Sequence, residues 1–167
     1  MRGQVIRLAR LSVDGYGYAG TVKDFKPPKI SQKTENYRGG GMSGEVEIPV
    51  GTEMDSMEFT LSEAAPDVMK RFGFISGSDK PFTIKAGIKD DDGNDVSLRY
   101  EVGGLLKEID PGTMEAGKVV ERRFNIAPRS YKEFIGGDLV VHIDHEKGIE
   151  VVDGEDKLAQ ARANAGL

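Results

Sequence analysis

Phe82-Thr83-Ile84-Lys85-Ala86-Gly87-Ile88-Lys89 and Val96-Ser97-Leu98-Arg99-Tyr100-Glu101-Val102 flank Asp90-Asp91-Asp92-Gly93-Asn94-Asp95. Two runs of strand character around a polar, Gly-containing tip read as a β-hairpin. The same pattern, short alternating segments parted by turn residues, recurs along the chain. Upstream, Leu8 to Val13 is a first strand ended by Asp14-Gly15, with Tyr16 to Val22 as its partner; Asp-Gly between two such runs is a strong hairpin signal. Met57, Phe59 and Leu61 alternate in a further strand. Downstream, Leu105 to Asp110 turns at Pro111-Gly112 into Val119 to Ser130, and Leu139 to Asp144 pairs with Ile149 to Val152 about His145-Glu146-Lys147-Gly148.

Helical signals are few. Ser62 supplies an N-cap hydroxyl, Pro66 and Asp67 suit a first turn, and Val68, Met69 and Phe72 give an apolar face before Gly73 ends it. A short C-terminal helix starts near Asp156 and carries Leu158, Ala159, Arg162 and Ala163. There is no internal repeat and no βαβ rhythm. The expected fold is therefore mainly β: an antiparallel β-barrel or sandwich with one packed α-helix, one domain over residues 1–167, and a short helix or tail at 156–167.

One segment does not belong to a core. After Pro27-Pro28, the run Ile30 to Tyr37 is polar throughout (Ser31, Gln32, Lys33, Thr34, Glu35, Asn36), so it has no apolar face to bury. Gly39-Gly40-Gly41 makes a tip or hinge, and Val46, Ile48 and Val50 return in alternation with Glu45, Glu47 and Pro49. Residues 29–50 together predict a long extended hairpin arm that projects from the body.

Composition removes several function classes. The 167 residues are 38% apolar and 31% charged, a globular balance. Uninterrupted apolar runs such as Leu139-Val140-Val141 fall far short of the roughly 20 residues that span a bilayer. The amino terminus intersperses Arg2, Arg7 and Arg10 among its apolar residues and has no continuous apolar centre of the signal-peptide kind, so folding and assembly in the cytoplasm is the expectation. With no cysteine there is no disulfide, thiolate metal site or cysteine nucleophile. The net charge of −5 is polarised: residues 1–38 hold eight Lys/Arg against three acids, +5, leaving −10 for the rest. An acidic chain lacks the basic field of a tight nucleic-acid binder, but a basic end suits a neighbour's acidic surface.

The candidate chemistry reduces to ordinary readings. A phosphate loop requires Lys-Ser/Thr after its glycines and a helix behind them, whereas Gly41 precedes Met42-Ser43-Gly44 and a strand. Read as a calcium loop from Asp90, the turn has Glu101 at its twelfth position but Asp95 at the sixth, where the turn glycine belongs. His142 and Asp144 share a strand face, but His145 begins a turn and no fourth metal ligand is evident. Ser43 lies in no nucleophile elbow, and Glu108 with Asp110 forms only a same-face pair of acids. No catalytic, cofactor or metal site is expected.

Three stretches together resemble a known family: Glu35-Asn36-Tyr37-Arg38-Gly39-Gly40-Gly41-Met42-Ser43-Gly44; Gly104-Leu105-Leu106-Lys107-Glu108-Ile109-Asp110-Pro111-Gly112; and Val152-Asp153-Gly154-Glu155-Asp156-Lys157-Leu158 through Arg162-Ala163-Asn164-Ala165-Gly166-Leu167. With Val13-Asp14-Gly15, Ala19-Gly20 and Pro28-Lys29 they are similar, in the same order over nearly the whole chain, to the major tail tube proteins of contractile-tailed phages and R-type bacteriocins. The basic Gln4 to Arg10 segment and the histidines 142 and 145 depart from that pattern. The resemblance implies a non-catalytic subunit in the virion tail, polymerising as stacked hexameric rings whose strands join an inter-subunit barrel. It implies as partners the chain itself, a tail sheath protein, and baseplate and tail terminator proteins, with DNA as transient cargo, no stable membrane association and no cofactor. Tyr37, Arg38, Gly39, Gly40, Gly41, Met42 and Gly44 are then the expected contact between rings, and Gly103, Gly104, Pro111 and Gly112 the structural turns and kink. A tube protein of a bacterial secretion system is the alternative, sharing the fold without the Tyr-Arg-Gly-Gly-Gly-Met arm. A ligand-binding β-sandwich is a more distant one, with no Trp and 7% aromatics to build a platform.

Overall fold

The computed structural model describes residues 3–13, 18–75, 77 and 80–167. The strands are β1 (Gln4–Val13), β2 (Tyr18–Lys26), β3 (Ile30–Tyr37), β4 (Val46–Met54), β5 (Met57–Leu61), β6 (Phe82–Asp90), β7 (Asp95–Asp110), β8 (Arg122–Ile135), β9 (Asp138–Asp144), β10 (Ile149–Val152) and β11 (Glu155–Asp156). Two short helices, α1 (Pro66–Met69) and α2 (Ala159–Asn164), complete the described elements. Nine strands form one antiparallel sheet in the order β11-β10-β9-β8-β5-β2-β1-β6-β7, and a further β7–β8 ladder folds it back on itself while the β11 end stays open. β3 and β4 pair only with each other. The expected Asp14-Gly15 turn lies outside the described residues.

Period-two burial makes the core. On β6, Phe82, Ile84, Ala86 and Ile88 are buried while Lys85 and Gly87 are exposed. Leu11 and Val13 on β1, Met57, Phe59 and Leu61 on β5, Val102 and Leu106 on β7, and Phe124 and Ile126 on β8 converge on the same interior. Phe59 stacks on Phe124 at 5.2 Å between centroids and tilts against Phe82 at 6.4 Å. Aromatic pairs of this geometry add to the stabilisation from burial alone.

The folding-back depends on a backbone device. The two segments expected at Val96 to Val102 and Leu105 to Asp110 are one 16-residue strand, β7. Within it Gly103 opposes Ser130 and Gly104 opposes Pro128, leaving Arg129 unopposed as a bulge. At that level β8 exchanges neighbours: residues 122–126 pair with β5, and 130–135 with β9. A bulge bends and twists the strand that carries it, and Pro128, which has no N–H for a ladder, is tolerated at such an interruption. A Cβ on Gly104 would stand 2.9 Å from Pro128 Cα and 3.0 Å from the Ala127 carbonyl carbon. Only glycine allows the two strands this approach.

The expected helices shrink. No Ser62 cap exists: α1 begins after Ala65, which takes a left-handed conformation (φ 48°, ψ 55°) and makes no side-chain cap. Pro66 opens the helix, Val68 is its buried residue, and Gly73 at φ 80° follows it. Phe72, expected on the buried face, is exposed. A four-residue turn rotates too little to return position 72 to the side of Val68. α2 begins at Ala159 and buries none of its residues. Among the described residues no helix is long and apolar enough to cross a membrane.

Candidate functional site

The arm reaches further than its expected 29–50 span, because β4 continues through Met54. Its root is tied to the body. Asp55 N–H donates to the Lys29 carbonyl at 2.9 Å, Thr52 Oγ1 donates to Glu150 Oε1 on β10 at 2.5 Å, and Gln32 Nε2 reaches Thr52 Oγ1 at 3.1 Å. Its register pairs Tyr37 with Val46 and Glu35 with Ile48, so these four side chains share one face. Tyr37 is 53% exposed, and Val46, Ile48 and Val50 are similarly open to solvent. Four large apolar groups left about half open to solvent on a two-stranded ribbon form a surface of the kind that marks a protein contact.

The tip has a defined shape. Met42 N–H donates to the Gly39 carbonyl at 3.2 Å, and Gly39 N–H points at Met42 Sδ at 3.1 Å. The Tyr37 ring leans over Gly39, where an added Cβ would sit 2.9 Å from the phenol oxygen, and Gly41 holds φ 88°. Arg38, Gly40 and Gly44 are exposed, and Met42 and Gly39 are half-buried. Elsewhere, Gly103 and Gly104 lie in the bulge described above. Gly112, at φ 65°, donates its N–H to Asp110 Oδ1 at 2.9 Å, with Pro111 between them.

Two features of the body escaped sequence reading. β1 pairs with β6 over its whole length but with β2 only over Arg10–Val13, while β2 from Val22 onward pairs with β5. Among the described residues, Gln4–Ala9 therefore has no strand on its β2 side. A wedge-shaped cavity of about 450 Å³ opens there between Ile6–Ala9 and Val22–Phe25. On the neighbouring outer face lies a hollow of about 600 Å³ lined by residues from β1, β6, β7 and β8, together with Gly137. Leu8, Gly87 and Phe134 line it together with Arg10, Lys85 and Arg99, and no acid does. Arg99 lies over the Phe134 ring at 3.9 Å and contacts Glu101 at 3.3 Å. The one sequence signal for this region was the basic Gln4 to Arg10 segment.

The acidic and histidine clusters are occupied with local structure. Asp90 Oδ1 accepts N–H groups of Asp92 (3.0 Å) and Asn94 (2.8 Å), and Oδ2 accepts Asn94 Nδ2 at 3.0 Å. These bonds, the Asn94 side chain first, hold its carboxyl below the usual range. Asp144 is buried and caps the following turn through Glu146 and Lys147 N–H groups at 3.1 and 3.0 Å. Burial lowers the His142 pKa, and Lys132 opposite adds to the effect. Burial also pushes Tyr100 up to about 12, with Glu133 contributing, and raises Tyr131, whose hydroxyl donates to Glu133 at 2.9 Å. Among the described residues, no group of three His, Cys, Asp or Glu side chains is placed to hold a metal.

Residues 3–166 match the family model of the phage tail tube protein FII. The chain is 33% identical over 166 residues to the tail tube protein of Escherichia phage P2, covering 97% of this chain and 96% of that one. It is 26% identical over 155 residues to the major tail tube protein of Serratia phage KSP20, covering 90% and 88%. Among solved structures, a chain of the anti-feeding prophage baseplate superposes with TM-score 0.51 at 11% identity, covering 83% of this chain and 96% of that one. Hcp1 from Flavobacterium johnsoniae does so with TM-score 0.51 at 15% identity, covering 83% and 99%. These two share the fold.

Proposed function

The chain belongs to the phage tail tube protein FII family, and on that premise we propose that it polymerises as six-fold rings stacked head to tail, with the hairpin arm as the contact between rings. The chain is a structural tail tube subunit, a component of the virion tail that self-assembles and is not an enzyme. The observation that carries the arm's role is its half-exposed apolar face of Tyr37, Val46 and Ile48, with Val50 beside them at the bulge, on a root fixed by Glu150. Burying such a face against a second copy is favourable in proportion to its apolar area. Repeating a heterologous contact propagates a stack until another protein caps it.

Within a ring, the β2 side of Gln4–Ala9 is the edge on which a neighbour's strand completes an inter-subunit barrel, since an unpaired edge is a template for pairing. The tube conducts DNA as transient cargo in a phage or punctures a membrane in a bacteriocin; sheath, baseplate and terminator proteins meet its outer wall and ends. The acidic balance of residues 39–167 suits a wall past which phosphates slide. Negative-stain microscopy tests the arm: the chain should form tubes, and a variant with residues 34–50 replaced by a two-residue turn between the paired Lys33 and Gly51, which removes that apolar face, should give soluble, folded subunits or single rings. Full-length tubes from that variant would refute the arm's role.

A further inference from the structure

We propose that the basic hollow on the outer face of β1, β6 and β7 is the seat for the arm of a second copy of this chain, entered by its β4 strand. This inference rests on the reading of the arm as the contact between subunits and names the surface that receives it. Four observations point to this pairing.

The first is charge. From Glu45 to Met69 the chain contains no Lys or Arg, so β4 and its flanks carry only acids; of these Glu53, with Glu35 of β3, shares the ribbon face of Val46 and Ile48. The hollow carries only bases: Arg10, Lys85 and Arg99 stand around it and no carboxylate lines it. Opposed fields of this kind set register and partner choice across an interface. The second is apolar fit. Val46 and Ile48 present a period-two apolar edge on one face of β4, with Val50 exposed beside them at the arm's bulge. The hollow answers with Leu8, Phe134 and the stems of its basic side chains, which cover apolar surface while their heads stay in water.

The third is space. Gly87 and Gly137 line the hollow, and an added Cβ at either would meet nothing within 4 Å. The space beside both glycines is open, and about 600 Å³ lies in the range that accommodates a few packed side chains. The fourth is continuity. Leu8, 78% exposed, borders both the hollow and the open side of β1, so a seated arm would extend the same contact region. Both halves occur on every subunit, so the contact is heterologous and repeats along a stack.

The natural chain has no cysteine, which allows a direct test. Tubes co-assembled from an Ile48→Cys variant and a Ser97→Cys variant are oxidised and resolved on a non-reducing gel. Ser97 is exposed in the hollow and changes by one atom. A cross-linked dimer from this pair, and none from Ile48→Cys with Val119→Cys in the distant 111–121 loop, is the expected result. Tubes that form normally but cross-link only with Val119→Cys, or with neither, overturn the seat while leaving the arm's role intact. Arm-shortened subunits that still make tubes would instead overturn that underlying reading. Independently, Arg10→Glu with Lys85→Glu should raise the concentration needed for assembly at least about tenfold, and Glu35→Lys with Glu53→Lys, the acids on the face of Val46 and Ile48, should restore it. Absence of any rescue counts against the charge pairing.

Discussion

Replacing Gly104 by alanine tests the backbone device that folds the sheet. The new Cβ would lie 2.9 Å from Pro128 Cα and 3.0 Å from the Ala127 carbonyl carbon, and it would also press on the Ala127 carbonyl oxygen. Carbon atoms rest about 3.5–4.0 Å apart and the carbonyl oxygen is the nearest obstacle, so β7 and β8 must separate by roughly 1 Å or more at their bulge. The obstructing atoms are all backbone, and no rotamer change relieves them. Overpacking of this kind costs about 1–3 kcal/mol, with a rigid obstacle at the upper end; alanine recovers about 0.5–1 kcal/mol through the smaller entropy of its unfolded chain. The net is about 2 kcal/mol. For a chain of this size each kcal/mol moves the midpoint by about 2–4 °C, so the unassembled subunit should melt about 4–8 °C lower by circular dichroism. The comparison is Gly40→Ala at the arm tip, where a Cβ meets nothing within 4 Å. Working with unassembled subunits keeps self-association from adding to the apparent stability. Equal midpoints for the two variants and the natural chain would refute the close-approach argument.

Three further outcomes follow from the same coordinates. Phe59→Ala removes a fully buried ring stacked on Phe124 and should cost about 3–5 kcal/mol, read from urea unfolding; a loss below 1 kcal/mol, as for an exposed site, would place the core elsewhere. Thr52→Val removes the hydroxyl that ties the arm to Glu150, so limited proteolysis within 30–54 should accelerate while the body's melting is nearly unchanged; equal cleavage rates would mean that the root bond does not order the arm. At the carboxyl end Asp156 accepts from Arg162 at 2.5 Å and from Leu158 N–H at 3.1 Å. Arg162 first, with the Leu158 and Glu150 N–H groups, holds the Asp156 carboxyl down to about 2. A folded pKa below the unfolded value of about 3.9 means the clamp's contribution is whole above about pH 4 and is lost as pH falls through about 2. Hydrogen exchange over 159–164, corrected for intrinsic rates, should show protection failing in that window and already weakened at neutral pH in Asp156→Asn. Protection that is flat across the window would show that α2 is held by something else.

Much of the molecule is legible residue by residue. Alternation at Met57, Phe59 and Leu61 gives a strand with a buried face, and the polar run Ser31 to Asn36 shows that β3 has no core to face. The order of turn and strand motifs carries the family resemblance. Local capping rules did worse. A serine at position 62 satisfies the composition of a helix start, yet the helix begins four residues later, where Ala65 takes a left-handed turn and Pro66 supplies the first helical φ. Phe72 failed for a related reason: its expected burial assumed a second helical turn that the chain does not make.

Sequence alone determined the β class, the positions of most strands and the separateness of the arm, because side-chain alternation and turn chemistry are properties of neighbouring residues. Tertiary structure decided which strands lie side by side. Leu8, Lys85, Ser97 and Phe134 reach one hollow only because β1, β6, β7 and β8 pair in that order, and Gln4–Ala9 lacks a second neighbour only because β2 leaves it for β5. Both follow from long-range ladders whose register is set by the shared core and by the bulge at Gly103-Gly104, and period-two patterning in each strand is the same whichever strand becomes its neighbour.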